Sequence, residues 1–570
     1  MTLVAKDVDA ATPPAGHRAG FTRFRRLGAP LAIATFGAAC YAPGLNWGLP
    51  ATRSWSQDTI AGLRTLGALE SWPAAWRGRY PPLQYLLLGA AYQPILRSWD
   101  RSGVRVVDPQ TGQAALTEPH APKIGRLLLV ARVISALMAV ATGWGIWATA
   151  RLLTGDDLAA LLAALTFMSG AEFTYFAHLG NVDVPSMCWI AWSLFFFARL
   201  LRSHRWTDAL YLGLFGSLAA STKDSAAGLY PGMAVVLLAE ELRRHRQTMS
   251  SGKAVARAIL QAKWLAGTMA FVLPYLLLYG AWSDPAAYLE RMSYWLNPPA
   301  GSLHAGQLRY PDPWGLMLAT VRYAAGAVGW PMLVTMAASA GWALFRQCRL
   351  AVILLVPAVG YCLIVLLPIG FVYARFLFPP LALLSMLVGL AGAAFWREAA
   401  WPRSFRYAVL GAVLLPTLAY AAAVNAEMIT DSRYDAEAWF RENVPPSASV
   451  GAFSDPQYLP RLEPLGYRSY RVEMTRESFD RPQPDYLLLT SYHYVDFDER
   501  QRDCMASLMR GELGYEPVVE FHGRFLGTGS SWLSLAGWGA PVPGKISPTL
   551  TVLQRREPGS LAAPRGPARP

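Results

Sequence analysis

The sequence is poor in charge. Only 16% of its 570 residues are Asp, Glu, Lys or Arg, against roughly 25% in an ordinary soluble domain. It is also poor in cysteine. The five present (Cys40, Cys188, Cys348, Cys362 and Cys504) are scattered, lack metal-ligand spacing and, but for one, lie in apolar stretches, so they imply no disulfide framework. There is no Walker loop, no GxGxxG after a strand and no HExxH, which leaves nucleotide-driven and zinc-hydrolase chemistry without a motif. The first 26 residues are polar and basic ("HRAGFTRFRR") and lack a cleavage pattern behind a short apolar core, so they read as a cytoplasmic tail.

Apolar and aromatic residues are abundant. Hydrophobic residues make up 53% of the chain, with 21 Trp and 25 Tyr, the composition of a polytopic membrane protein with aromatic belts. Crossing the hydrocarbon takes about 20 mostly apolar residues. Candidate spans are 27–46, 127–150, 158–180, 184–201, 207–222, 225–239, 264–282, 323–345, 350–373, 376–396 and 407–425, about eleven in all. The stretch 82–96 is shorter and reads as a helix lying along the membrane surface. With the basic tail inside, this layout puts the dense Lys/Arg clusters ("RLLRSHRW", "EELRRHRQ", "FRQCR", "WREAAWPRSFR") on the cytoplasmic side. The formal net charge of +13 is then cytoplasmic-loop and phosphate-facing charge, and a nucleic-acid partner is not expected. The loop 47–123, Asp183, Lys223, Arg375 and everything after 426 fall outside.

After 426 the character changes. "SRYDAEAWFRENVPPSASVGAF" reads as a helix, a proline break and a strand, "PDYLLLTSYHY" and "YEPVVEFHGRF" as strands, with a helix near 499–511 between them. This is a small α/β unit over 426–556, followed by a Pro- and Gly-rich end, 557–570, expected to be disordered.

Charged residues at the outer ends of the spans are few. Asp58 ("SWSQDTIAGLRTL") and Asp183 ("HLGNVDVP") are both open to an ordinary role as helix caps. Lys223 interrupts an apolar stretch in "LAASTKDSAAG", with Asp224 as an obvious local partner. Arg375 ("GFVYARFLFPP"), Arg126 and Arg132 could snorkel, and Glu172 and His178 could serve packing between helices. Together, two separated acids and several cations at membrane depth suit a substrate with a phosphate at the headgroup level and an apolar tail in lipid.

These places, in this order, resemble the GT-C fold glycosyltransferases of the protein-mannosyltransferase and aminoarabinose-transferase superfamily. The resemblance rests on an acid in the first external loop, Asp58, followed by "YPPLQYLLL"; on the joint "YFAHLGNVDVPSMCW"; on "LGLFGSLAASTKDSAAGLYP"; and on "YARFLFPPLALL". The C-terminal "W…NVP…V…PDYLLL" resembles the periplasmic domain of bacterial members. It implies a GT-C membrane domain over 27–425 and an inner-membrane enzyme with extracytoplasmic chemistry. The enzyme would transfer a sugar, with inversion, from a polyprenyl-phosphate carrier to a glycan, lipid or protein acceptor. Asp58 would be the base, or at least the acid that orients the acceptor, and Asp183 the second acid. Lys223 and Arg375 would bind the donor phosphate, with Arg132, Tyr373 and His178 as further substrate-binding candidates. Many relatives carry an Asp-Glu pair in the first loop, whereas Thr59 follows Asp58 here. No metal and no cofactor are therefore expected.

Two other classes remain open. A transporter or flippase for a lipid-linked substrate would also keep charges in the membrane, although no second copy of "TKD" or "NVDVP" marks an inverted repeat. A non-catalytic membrane binder of lipid-linked sugars would keep Lys223 and Arg375 and survive loss of Asp58.

Overall fold

The computed structural model describes residues 19–56, 58–70, 72, 76, 80–101, 105–107, 114–116, 121–296, 310, 312–479, 483–491, 498–525 and 546–556. Most of the expected basic tail 1–26 and all of the segment 557–570 lie outside the described residues. Among those described, six helices are long and apolar enough to cross a membrane, or up to eight if each of two bent pairs is one span. Their apolar side chains face outward as well as inward: Phe345 is 90% exposed, Leu137 65% and Leu415 64%. Water would not tolerate such a belt on helices, and a hydrocarbon solvent would.

The count differs from the sequence expectation because two apolar runs are broken and three others form helices shorter than a span: Gly28–Tyr41, Trp206–Ala220 (15 residues) and Tyr230–Arg246 (17 residues). The run 158–180 becomes Asp157–Met168 and Ala171–Ala177, bent by 70°. The run 323–345 is divided at Gly329, where Pro313–Val328 and Trp330–Arg346 meet at 112°. Gly329 has φ +85° and Pro331 follows in the first turn of the next helix. A left-handed glycine and a proline without an N–H end one helix and start another. All but the first residue of the apolar stretch 82–96 lies in the helix Leu83–Arg101, whose Leu88, Tyr92 and Leu96 pack with Leu127 and Leu128 of the helix Ala121–Thr154.

Close helix packing relies on small residues. A Cβ on Gly213 of helix Trp206–Ala220 would collide with the carbonyl of Gly267 on helix Ala262–Leu278, and one on Gly389 would collide with the carbonyl of Ala159. Lipid provides no hydrophobic drive between helices, so such backbone approach and its dispersion contacts hold them together.

A hairpin, β1 (Arg105–Val107) and β2 (Ala114–Leu116), lies in the first long loop. The C-terminal part holds a second, five-stranded sheet: β3 (Ser449–Ala452), β4 (Arg468–Arg471), β5 (Tyr486–Thr490), β6 (Tyr515–Phe521) and β7 (Leu550–Arg555), in the order β4-β3-β5-β7-β6. β4, β3 and β5 run parallel, and β7 is antiparallel to both β5 and β6. Alternate residues cover opposite faces. Val450, Leu488 and Val552 pack with Phe440 of helix Ser432–Asn443, whereas Leu487, Leu489 and Leu553 pack with Leu508 of helix Glu499–Met509. The expected helices and three of these strands are found. β4 and β7 went unforeseen.

Candidate active site

Asp58 sits in an irregular loop, and the first helix after it starts only at Leu63. It therefore caps no helix. Asp183 is the first residue of helix Asp183–Ser203, with Val182 in the cap position and no side-chain capping bond. Lys223 follows the end of helix Trp206–Ala220, and Arg375 lies in the 3-10 turn Ala374–Leu377. Four chain breaks thus converge. Each leaves a polar group where a continuous helix would have presented an apolar face.

The four side chains form one linear array. Arg375 Nη1 is 2.6 Å from Asp58 Oδ2, and Arg375 Nε is 3.9 Å from Asp183 Oδ1. Lys223 Nζ donates to the same Asp183 Oδ1 at 2.5 Å. The local alternative for Lys223 is excluded, because Asp224 is bonded to Tyr279 Oη and ion-paired with Arg291 at 2.9 Å. Asp183 is the sealed member, its side chain 2% exposed, while Asp58 at 15% and Lys223 at 13% are the open ends. The remaining Asp183 oxygen accepts from Asn181 Nδ2 at 2.8 Å, and Asn181 Oδ1 accepts from the Asp183 amide. Asn181, inside the motif "HLGNVDVP", is the orienting residue that sequence reasoning missed.

Aromatic rings wall the cations. Lys223 Nζ lies 4.6 Å from the centre of the Phe376 ring, and the Arg375 guanidinium 4.9 Å from Tyr373 and 5.4 Å from Phe176. Low surrounding polarity strengthens every charge interaction within. Burial pushes the Lys223 ammonium, in the loop between helices, below its ordinary pKa; Asp183 opposes that shift and Arg375 adds to it. A small cavity bordered by Asp183, Lys223, Arg375 and Tyr361 opens between these groups. Among the described residues, no three His, Cys, Asp or Glu side chains come together as a metal-holding group.

Arg132 and His178 lie outside this array. Arg132 is fully buried and donates to the carbonyls of Leu45 at 2.8 Å and Trp47 at 2.6 Å. It is a scaffold for the loop that carries Asp58. His178 places both ring nitrogens against carbonyls, of Thr174 and of Pro43. Tyr373 lies beside the array, its ring facing the Arg375 guanidinium. The same loop is gripped from the other side: Arg433 stacks over Trp55 at 4.1 Å, Asp431 accepts from Trp47 Nε1 at 2.8 Å, and Arg461 Nη1 donates to the carbonyl of Leu49 at 2.5 Å. Tyr175 Oη reaches Ser56, and the Ile60 amide bonds the carbonyl of Gly180.

With this geometry in view, residues 123–266 match the family model for dolichyl-phosphate-mannose-protein mannosyltransferase. The matched segment contains Asp183 and Lys223, and the glycosyltransferase superfamily resemblance read from the sequence stands. No curated protein matches by sequence. Among solved structures, the chain is similar to the apo oligosaccharyltransferase of Archaeoglobus fulgidus, with 12% identity, 90% of this chain and 76% of that one covered, and a TM-score of 0.48. It is also similar to ArnT from Cupriavidus metallidurans bound to undecaprenyl phosphate, with 14% identity, 96% and 100% covered, and a TM-score of 0.42. A third is the Pmt1-Pmt2 protein O-mannosyltransferase complex of S. cerevisiae bound to the sugar donor, with 17% identity, 47% and 34% covered, and a TM-score of 0.34.

Proposed function

We propose that this chain is an inverting glycosyltransferase of the extracytoplasmic membrane face, taking its sugar from a polyprenyl-phosphate carrier. The observation that carries the reading is the array Asp58–Arg375–Asp183–Lys223, with two cations beside a carboxylate that is open at one end. The matched family is described by a lipid-phosphate sugar donor, which supports the same donor class.

In this reading the donor phosphate enters beside Lys223 and draws Arg375 away from Asp58. The released carboxylate takes the proton of the acceptor hydroxyl as its oxygen attacks the anomeric carbon. The carbon–oxygen bond to the carrier phosphate breaks on the opposite face, which inverts the centre. Lys223 and Arg375 neutralise the charge gathering on the departing phosphate. Asp183 is too enclosed to meet an acceptor; it holds Lys223 and the Arg375 Nε edge. The acceptor is a hydroxyl on a glycan, lipid or protein. Residues 27–425 form the catalytic membrane part. Residues 426–556 sit on the Asp58 side, a reading supported by the contacts of Arg433 and Arg461 with the Asp58 loop.

The test is transfer of label from a panel of polyprenyl-phosphate sugars in membranes holding the chain or its Asp58→Asn variant. Turnover by the parent and its loss in the variant, with donor binding kept, is expected. Turnover within a few-fold in Asp58→Asn would remove Asp58 from the mechanism and favour a binder.

A further inference from the structure

A second polar centre lies at the other end of the two helices that flank Lys223. Helix Trp206–Ala220 runs toward Lys223 and helix Tyr230–Arg246 runs back from it. Fifteen residues place this centre ~22 Å along the helix axis from the active-site end. There a cavity of about 980 Å³ is lined by His204, Arg205, Arg244, His245, Arg257 and Lys263, among others.

Its floor is built. Glu241 is buried and takes His204 Nδ1 at 2.6 Å, Lys263 Nζ, and Gln261 Nε2 at 3.3 Å. Burial alone would raise the Glu241 carboxyl, but the hydrogen bonds of Lys263, His204 and Gln261 bring it down to about 2. The floor charges are therefore mutually neutralised. The rim charges are not: among the described residues, no carboxylate pairs with Arg205, Arg244 or Arg257. Three exposed guanidinium groups thus face an open cavity.

An apolar cavity of about 660 Å³ adjoins it and shares Lys263. Its walls include Leu212, Leu237, Leu238, Trp264, Phe271 and Val272. Leu238 is 41% exposed, and Leu260, on the polar cavity's rim, is 80% exposed. A free anion has no use for that groove, and a neutral lipid has none for three unpaired arginines. The geometry points to a binding site for an anionic phospholipid, its phosphate among Arg205, Arg244 and Arg257 and its acyl chains in the apolar groove. Anionic headgroups are what basic residues meet at a cytoplasmic leaflet. The site is separate from the Asp58–Lys223 array and does not depend on how that array is read.

The experiment is native mass spectrometry of the full chain released from nanodiscs of phosphatidylglycerol mixed with phosphatidylcholine of the same acyl chains. One phosphatidylglycerol is expected to stay bound in preference to phosphatidylcholine. Each neutralisation, Arg205→Gln, Arg244→Gln or Arg257→Gln, should lower its retention roughly five-fold. Ala234→Trp fills the groove without touching an arginine and should also release it. Lys223→Ala should keep it, which separates this site from any donor at the other end. Equal retention of both lipids, or unchanged retention in the triple arginine variant, would overturn the site. So would displacement by inorganic phosphate at equal concentration, which would mark a free-anion site. Preference for polyprenyl phosphate over phosphatidylglycerol would reject the phospholipid in favour of the carrier.

Discussion

Arg375 serves two carboxylates at once: its Nη1 holds Asp58 at 2.6 Å while its Nε faces Asp183 at 3.9 Å. A lysine keeps the charge but cannot span both with a planar fork. Arg375→Lys should weaken donor binding at least ~10-fold, since a charge-assisted contact contributes about 1.5–3 kcal/mol. Equilibrium binding of a labelled polyprenyl-phosphate sugar measures this, and unchanged affinity would confine Arg375 to a structural ion pair.

Asp183 and Lys223 should differ in how they fail. Asp183→Ala leaves a buried ammonium without its carboxylate and should cost about 3–5 kcal/mol of stability. Lys223→Met removes the cation and keeps much of the volume, and should be milder in stability but at least as severe in donor binding. Melting temperatures in detergent, set beside donor affinity, distinguish the two. Melting temperatures equal to the parent's in both variants would show that the pair contributes little to the fold.

Arg132 makes the opposite prediction to Lys223. Its guanidinium is committed to the carbonyls of Leu45 and Trp47. Arg132→Met should destabilise by about 2–4 kcal/mol, from two charge-assisted bonds and the stranded carbonyls. Donor affinity in the folded fraction should stay within about two-fold, within the RT-scale noise of a remote change. A selective loss of donor binding would return Arg132 to the site.

Acid should unfold the basic end of the bundle by way of Glu241. Its carboxyl titrates at about 2 in the folded chain against an ordinary 4.5. A depressed pKa stabilises the fold fully above 4.5, and that contribution fades as pH falls from 4.5 toward 2. Melting temperature should therefore drop across this window more steeply in the parent than in Glu241→Gln. Parallel curves would dismiss the contribution.

Orientation is testable at Ser447, between helix Ser432–Asn443 and β3. A cysteine there should react with an impermeant reagent in intact cells, because the positive-inside layout puts residues 426–556 outside. Reaction only after lysis would invert the layout.

Three of the four charged site residues were legible because each is an anomaly. For Asp183, Lys223 and Arg375, a charge inside or beside a lipid-length apolar run is costly, so its position alone marks it, whereas Asp58, in the external loop, was picked out by the resemblance. Their pairing was less legible: Asp183 and Lys223 each had a plausible local partner or cap, and only the fold brings them to each other. Asn181 was invisible because an asparagine in a short joint reads as a turn former. The bend at Gly329 had a signal, a glycine two residues before Pro331, which a count of apolar residues passes over. Strand β4, "RSYR", is polar and short, and its place at the sheet edge leaves little alternation to detect. Arg132 stood out as an anomaly too, but backbone carbonyls carry no sequence signature, so its partners could not be named.

The grip of Arg433 and Arg461 on the loop before Asp58 ties the first residue of the charged array to a segment made after all four of its members. During synthesis Asp58 leaves the ribosome long before Arg375, and Arg461 comes later still. A nascent or prematurely terminated chain would hold the acid on an untethered loop, with neither its arginine nor its clamp. On the proposed reading, the array would be complete and clamped only after Arg461 has been made, and a fragment stalled before that point would be inert toward the carrier.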